Sequence, residues 1–404
     1  MTSAIRLSGT NLERAADHNQ RITLHAIRVR GTTTRVELAH LTGLTAPTVA
    51  NITKRLLADN LIQEDGQIRS GRGQPATRLI INRNACYSIG VNIDRDHIAI
   101  VIVNFVGEIV ARRTVEIDFA LPDDVRDFYV RSVRELVGEA GVAVDTLVGI
   151  GVATPDDLGS IELSGRPADF VLWDETNMAD LFAAPFRLPV FVENDAAAAA
   201  MGEQQLGSGN LYGSAFYILI SWGLGGGFFL DGHYVRGADG RSGELGFLTY
   251  RNADGSSEQV QQLVSLSGLA KHLKASGLNL AELFADEQSA AFDTCVDGWM
   301  DEATLRLSDA LIAVNCLINP AVVLIGGRLP GKYLARFTQK VSDHMAQSAA
   351  HIPSLAPVKQ ADLAADAPSI GAAILPFSHY LLPTTAALWK SPGDDDANSW
   401  MQRG

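Results

Sequence analysis

The stretch VENDAAAAAMGE, residues 192–203, sets a carboxylate, Asp195, at the exit of an apolar strand and the mouth of an alanine-rich helix. A carboxylate so placed can take a proton from a hydroxyl, or can simply accept a hydrogen bond from one. A second stretch, WGLGGGFF, carries Gly223, Gly225, Gly226 and Gly227, and IGGR carries Gly326 and Gly327. Such glycines let backbone approach a phosphate, and they equally serve tight strand-to-strand turns. The nine histidines form no HxH or HExxH arrangement, and no Ser/His/Asp grouping has local support. Isolated His233 and His272 read as surface or core residues rather than ligands. Cys86, Cys295 and Cys316 lie far apart, so neither a disulfide framework nor a CxxC metal knuckle can be drawn, and a reducing, cytoplasmic compartment is expected.

The elements that must position these groups belong to a long chain. Its 404 residues accommodate two or three domains, and 47% apolar with 20% charged residues is a globular composition. The N-terminal segment lacks the apolar region of a signal peptide, and AFYILISWGLGGGFFLDG is short and broken by glycines, which argues against secretion and membrane insertion. Charge is divided unevenly: residues 1–85 carry a balance of +6 and the remainder −19, within a total of −13. A basic head on an acidic body suggests that one end meets a polyanion.

In that head, Ile22, Leu24, Ile27 and Val29 suit an amphipathic helix from Asn19 to Arg30. Two further helical patterns flank the turn TGL. Val36, Leu38, Ala39 and Leu41 supply an apolar face to the first; in the second, Thr45 is an N-cap, Pro47 lies in the first turn, and Val49, Ile52 and Leu56 recur at helical spacing. The neighbouring face presents Thr48, Asn51, Lys54 and Arg55 with Pro47 at the tip, groups able to reach base edges and phosphates in a major groove. Two strand patterns, around Leu61–Ile62 and Leu79–Ile81, enclose GRGQP, where Arg72 and Gly73 suit a wing entering the minor groove. A helix-turn-helix, a basic balance and an Arg-Gly wing together predict binding to double-stranded DNA.

Beyond Cys86 the pattern becomes a three-stranded meander with turns at DRD and FVGE, a helix from Pro122 to Ala140, and a buried strand TLVGIGVAT. The order of these elements and of VEND, WGLGGG, GELGF, AVVLIGG and PSIGAAILP resembles the ROK family (repressors, open reading frames and sugar kinases), and the added head resembles its repressor branch. The resemblance implies an α/β body with the two-lobed, actin-like ATPase fold behind a winged helix-turn-helix, usually as a homodimer or homotetramer. Domains are expected at 1–85 (head), 86–195 (first lobe) and 196–385 (second lobe, its last helix returning to the first), with 386–404 a tail of disordered composition.

In the kinases that this body resembles, the residue matching Asp195 is the general base, and that matching Asn194 hydrogen-bonds the sugar. Phosphoryl transfer also requires that the phosphates be positioned and neutralised. The kinases use a DxGGT turn, and here NIDRDH puts Asn92 at the acidic position and Asp94 and Arg95 at the glycines. GELGF keeps Glu244 to accept sugar hydroxyls, but Phe247 replaces the histidine of the family's GExGH; RNADGSSEQVQQLVSLSG replaces its cysteine-rich zinc loop. Neither zinc nor ATP is therefore expected. The family's last sugar-binding carboxylate has no match, Glu258 and Gln262 lying nearest, and Asp169, four residues before Trp173, stands where relatives carry a sugar-contacting Asn. The resulting expectation is a regulator, a repressor of carbohydrate uptake or catabolism genes, in which Asn194, Asp195, Glu244 and Asp169 hold a carbohydrate-like effector without catalysis. A body that only oligomerises or docks partners, and an active sugar kinase, are the alternatives.

Overall fold

The computed structural model describes residues 12–68, 75–156, 158–160, 166–252, 254–348 and 352–383. The expected tail at 386–404 lies outside them. The head comprises α1 (Leu12–Arg30), β1 (Thr32–Thr34), α2 (Arg35–Thr42), α3 (Ala46–Ala58), β2 (Ile62–Ile68) and β3 (Ala76–Ile81). Helix α1 begins earlier than its apolar periodicity predicts, because the preceding LERAADH is polar but made mostly of good helix formers. Helix α2 is fixed at both ends, by a capping box between Thr34 and Glu37 and by Gly43 in the left-handed region at φ 70°. Its apolar face is narrower than predicted: Leu38 is buried, whereas Val36 is 65% and Leu41 45% exposed. Eight residues between two fixed ends turn only one side toward α1 and α3. The two expected strands pair as β2 and β3, and β1 adds on β3, giving the order β1-β3-β2.

The first lobe contains β4 (Tyr87–Ile93), β5 (His97–Asn104), β6 (Ile109–Glu116), α4 (Pro122–Glu139), β7 (Leu147–Thr154), α5 (Met178–Leu181) and β8 (Val190–Asn194). Its sheet runs β6-β5-β4-β7-β8, the meander antiparallel and β4, β7 and β8 parallel. Asn92 pairs with Ala153 and Ala153 with Glu193, so β4, β7 and β8 end at the same edge. Helix α6 (Asp195–Leu206) leaves that edge. The second lobe follows with β9 (Ser214–Ile220), β10 (Leu224–Leu230), β11 (His233–Tyr234), the hairpin β12 (Thr249–Arg251) and β13 (Ser257–Gln259), α7 (Leu266–Ala275), α8 (Ala290–Leu317), β14 (Val323–Gly327), α9 (Gly331–Ser348) and β15 (Val358–Gln360). Its sheet is β11-β10-β9-β14-β15. Aromatic side chains fill this lobe's core around Trp299, Phe292 and Phe337.

Helix α10 (Ala367–Tyr380) then packs on α6 and on β4, β7 and β5. The approach is too close for a side chain at the crossing: a Cβ on Gly371 would lie 1.7 Å from the Ala198 carbonyl oxygen, and one on Gly151 1.8 Å from that of Ala372. Alanines of α6 and α10 meet Ala153 in a small core of their own. The far end of α10 enters the head. Ile370, Ile374, Phe377, Leu381 and Leu382 share one core with Leu24, Ile27, Leu56 and Leu79, which also takes in Phe105 and Val148. No helix among the described residues is long and apolar enough to cross a membrane.

Candidate functional site

On the head, α3 begins as its sequence dictates. The Thr45 hydroxyl accepts from the Thr48 backbone N–H and shares a hydrogen bond of 2.8 Å with the Thr48 hydroxyl. Val49, Ile52 and Leu56 face inward, while Pro47, Asn51, Lys54 and Arg55 are exposed and Thr48 is half-buried. Arg35, unremarked in the sequence, braces this helix: its Nε donates to the Thr53 hydroxyl at 3.0 Å, and its guanidinium lies 3.7 Å from Glu64. Arg72 and Gly73 lie outside the described residues.

In the body, three carboxylates leave the parallel strands at one edge: Asp94 after β4, Asp156 after β7 and Asp195 after β8. Strand C-termini are where open α/β sheets place their ligands. Asn194 caps α6, its side-chain oxygen accepting from the backbone N–H groups of Ala196 and Ala197 at 2.9 and 3.1 Å. Only its amide NH2 remains to meet a ligand. Asp195 is buried, and burial first, then the Asp94 charge, pushes its carboxyl up to about 7; Asp156 adds to the rise, and Arg95 and the Ala196 N–H oppose it. Asp156 thus belongs to the site although VATPDD has no motif to mark it; its position at a strand exit was the available signal. Asp169, by contrast, is exposed on the turn Ala168–Glu175 and is not among the groups acting on Asp195, because that turn is anchored by burial of Phe170 and Trp173 instead.

On the facing lobe, Glu244 opens the turn Leu245–Phe247, and Phe247 is 48% exposed. Glu258 is engaged by the Tyr250 hydroxyl at 3.0 Å, and the Gln262 side chain accepts from the Gln259 N–H. Gln261 faces the glycine turn, its Oε1 3.8 Å from where a Gly223 Cβ would stand, and Arg95 of the first lobe approaches the same point. Gly225, Gly226 and Gly227 lie within β10 itself, not in a loop. A Cβ on Gly225 would fall 2.6 Å from that of Ala196, and one on Gly226 2.4 Å from the Gly243 carbonyl oxygen, so these glycines admit α6 and the 231–243 segment. Gly326 and Gly327 likewise make room for the Tyr217 hydroxyl and the Ile220 carbonyl.

Where a kinase would cradle phosphates, the β4–β5 turn folds into an ion network. The Asp94 carboxylate accepts from the Arg95 N–H at 2.7 Å, and Asp96 accepts from His97 Nδ1 at 2.9 Å. Asn92 Nδ2 is 3.1 Å from His97 Nε2. From the second lobe, Arg328 bonds Asp96 and grips both Glu116 oxygens at 2.6 and 2.8 Å. Burial raises the Asp96 carboxyl, but the His97 hydrogen bond and the Arg328 charge outweigh it and hold the group below its ordinary range. Arg236 pairs with Glu193, and Arg241 lies 3.9 Å from Asp156, so the lobes are joined through the 231–243 segment as well. Among the described residues, Asp94, Asp96 and His97 hold donor atoms within 4.8 Å of one another, close enough for one metal ion. Both Asp96 oxygens already serve His97 and Arg328.

The topology defines the class: a winged helix-turn-helix on a two-lobed, actin-like sugar-kinase body. Residues 88–378 match the ROK family, and the chain belongs to it. It is 30% identical over 347 residues to y4fQ of Sinorhizobium fredii, covering 85% of this chain and 86% of that one. It is 28% identical over 236 residues to the xylose repressor of Bacillus subtilis, an alignment spanning 57% of this chain and 60% of the repressor. The fold is shared with a ROK family transcriptional regulator homologous to the E. coli MLC protein (TM-score 0.65, 20% identity, 90% of this chain and 96% of that one). It is also shared with a ROK family glucokinase of Streptomyces griseus in complex with glucose and AMPPNP (TM-score 0.54, 23% identity, 72% and 98%).

Proposed function

We propose that the protein is a DNA-binding repressor of carbohydrate uptake or catabolism genes, controlled by a carbohydrate-like ligand held between the lobes beside Asn194, Asp195 and Glu244. The observation that carries this reading is the shared core: α10 packs on the helix that bears Asp195 and ends inside the head that presents α3. Relatives named xylose repressors support a sugar-linked role. A ligand that binds one arrangement of the lobes better than another would then change how two heads meet a two-fold site. Catalysis is not part of this reading, since the Asp94 carboxylate stands where the kinases keep a glycine and Arg328 is already tied to Asp96 and Glu116.

Recovery and sequencing of genomic fragments bound by the purified protein at moderate salt tests it. A shared two-fold motif upstream of transport and catabolic genes is expected; recovery of nothing above background contradicts the reading, as would sugar-dependent release of ADP from ATP. The exposure of Phe247, where the family carries a sugar-binding histidine, favours a second reading in which the body only assembles or docks partners. Retained DNA binding with no change in melting temperature across a sugar panel would support it.

A further inference from the structure

Arg95 is unusual among the cleft residues. Its side chain leaves the β4–β5 turn of the first lobe and reaches the Ser221–Gly223 turn of the second, its Nη1 3.8 Å from where a Gly223 Cβ would stand. It is only 7% exposed. Its Nε has no hydrogen-bond partner, and its ion pair with Asp94 is long, 3.7 Å from Nη1. The same guanidinium acts on Asp195. A buried guanidinium has five N–H donors in a fixed planar fork, and leaving one edge unbonded is costly unless a ligand completes it.

We propose that Arg95 anchors an anionic group, a carboxylate or a phosphate, on the carbohydrate ligand of this cleft. The inference rests on the carbohydrate reading above and narrows it to acidic sugars. The fork matches the paired oxygens of such anions better than a lone hydroxyl, and the glycine at position 223 adds no side chain of its own to the opposite wall, where the Gln261 amide lies. Asp94 is too distant and one-sided to satisfy the guanidinium by itself. Asp195 meets the charges of Asp94 and Arg95 from the β4–β5 turn and of Asp156 from the end of β7, and it lies close enough to Tyr217 of β9 to act on that hydroxyl. With its carboxyl already up to about 7, it takes up a proton as the anion arrives and donates it in a hydrogen bond. Affinity for the acidic ligand then falls as pH rises through 7, whereas a neutral sugar held by the Asp195 carboxylate shows the opposite trend.

The test is calorimetric titration of the full chain with D-xylose, D-xylonate and D-xylose 5-phosphate, and with the corresponding glucose series, at pH 6, 7 and 8. At least one acidic sugar is expected to bind tenfold or more tightly than its neutral parent. The aldonate and phosphate arms tell which anion is read. Arg95→Gln should abolish the preference for the acidic sugar over its parent; Arg95→Lys, which keeps the charge, should retain part of the preference and shows that the fold survives substitution. Neutral sugars binding as well as acidic ones, or a preference untouched by Arg95→Gln, would overturn the proposal while leaving the carbohydrate reading intact. Binding of neither class defeats both.

Discussion

Asp195 sits at the first turn of α6, where burial and the Asp94 charge outweigh the opposing Arg95 charge, and its raised pKa is a statement about stability. Between the ordinary carboxylate range and about 7 the folded chain holds this proton and the unfolded chain does not, so the cost of ionising Asp195 in the folded state grows with pH, full above about 7 and absent below about 4. Asp195→Asn is therefore expected to raise the melting temperature at pH 8, with the gain shrinking as pH falls toward 4, and to abolish any response to sugar. Thermal melts across that range check the sign; a gain that grows with acid contradicts it. Arg328 makes the reverse case. Breaking a buried, hydrogen-bonded pair leaves the partner's charge uncompensated, so Arg328→Gln is expected to cost about 3–5 kcal/mol in urea unfolding. A loss under about 1 kcal/mol would place the Asp96–Arg328 contact with solvated surface pairs.

Two helices carry the proposed function at the next scale. On α3, Asn51→Ala should weaken DNA binding with no change in melting temperature, because the side chain is exposed; Leu56→Ala should cost about 2–5 kcal/mol, because it empties part of the head's core. Helix α10 is fixed by its glycine: Gly371→Ala drives a methyl into the Ala198 carbonyl and should displace the helix and lower the melting point sharply, while Gly331→Ala, with nothing within 4 Å, should not. Helix α3 was legible in the sequence because cap, first-turn proline and apolar period coincide at Thr45, Pro47 and Val49–Leu56. The parallel strands and the carboxylate at Asp195 were legible for the same reason, a local pattern with a local cause. What stayed hidden depends on distant packing. Gly225–Gly227 read as a phosphate loop or a turn, and only the approach of α6 shows what β10 needs them for. Asp156 carries no motif, and the partnership of Arg328 with Asp96 joins residues far apart in the chain.

At the scale of the molecule, head and body are one packed object. Arg28 of α1 donates to the Phe105 carbonyl at 3.1 Å and to Gln205 at 3.0 Å, and Arg21 donates to the His379 carbonyl at 2.8 Å. His25 lies on the same helix, and burial, then the Arg28 charge, lowers its pKa to about 4. Its unfolded form gains a proton below about 6.5 that the folded form refuses, so stability from this residue is lost as pH falls from 6.5 toward 4. His25→Gln should blunt the acid sensitivity of the head, read by amide exchange in α1 at pH 5 and 7; equal protection of the wild-type helix at both pH values would contradict this. Phe377 and Leu381 pack the end of α10 into the head's core and Gly371 admits α6 at its start, so α10 connects the helix that bears Asp195 to the head. The most direct measurement is operator affinity at fixed salt with and without a sugar whose binding has been established by calorimetry. A change of tenfold or more in either direction is predicted, and an unchanged dissociation constant with the cleft saturated would contradict the account.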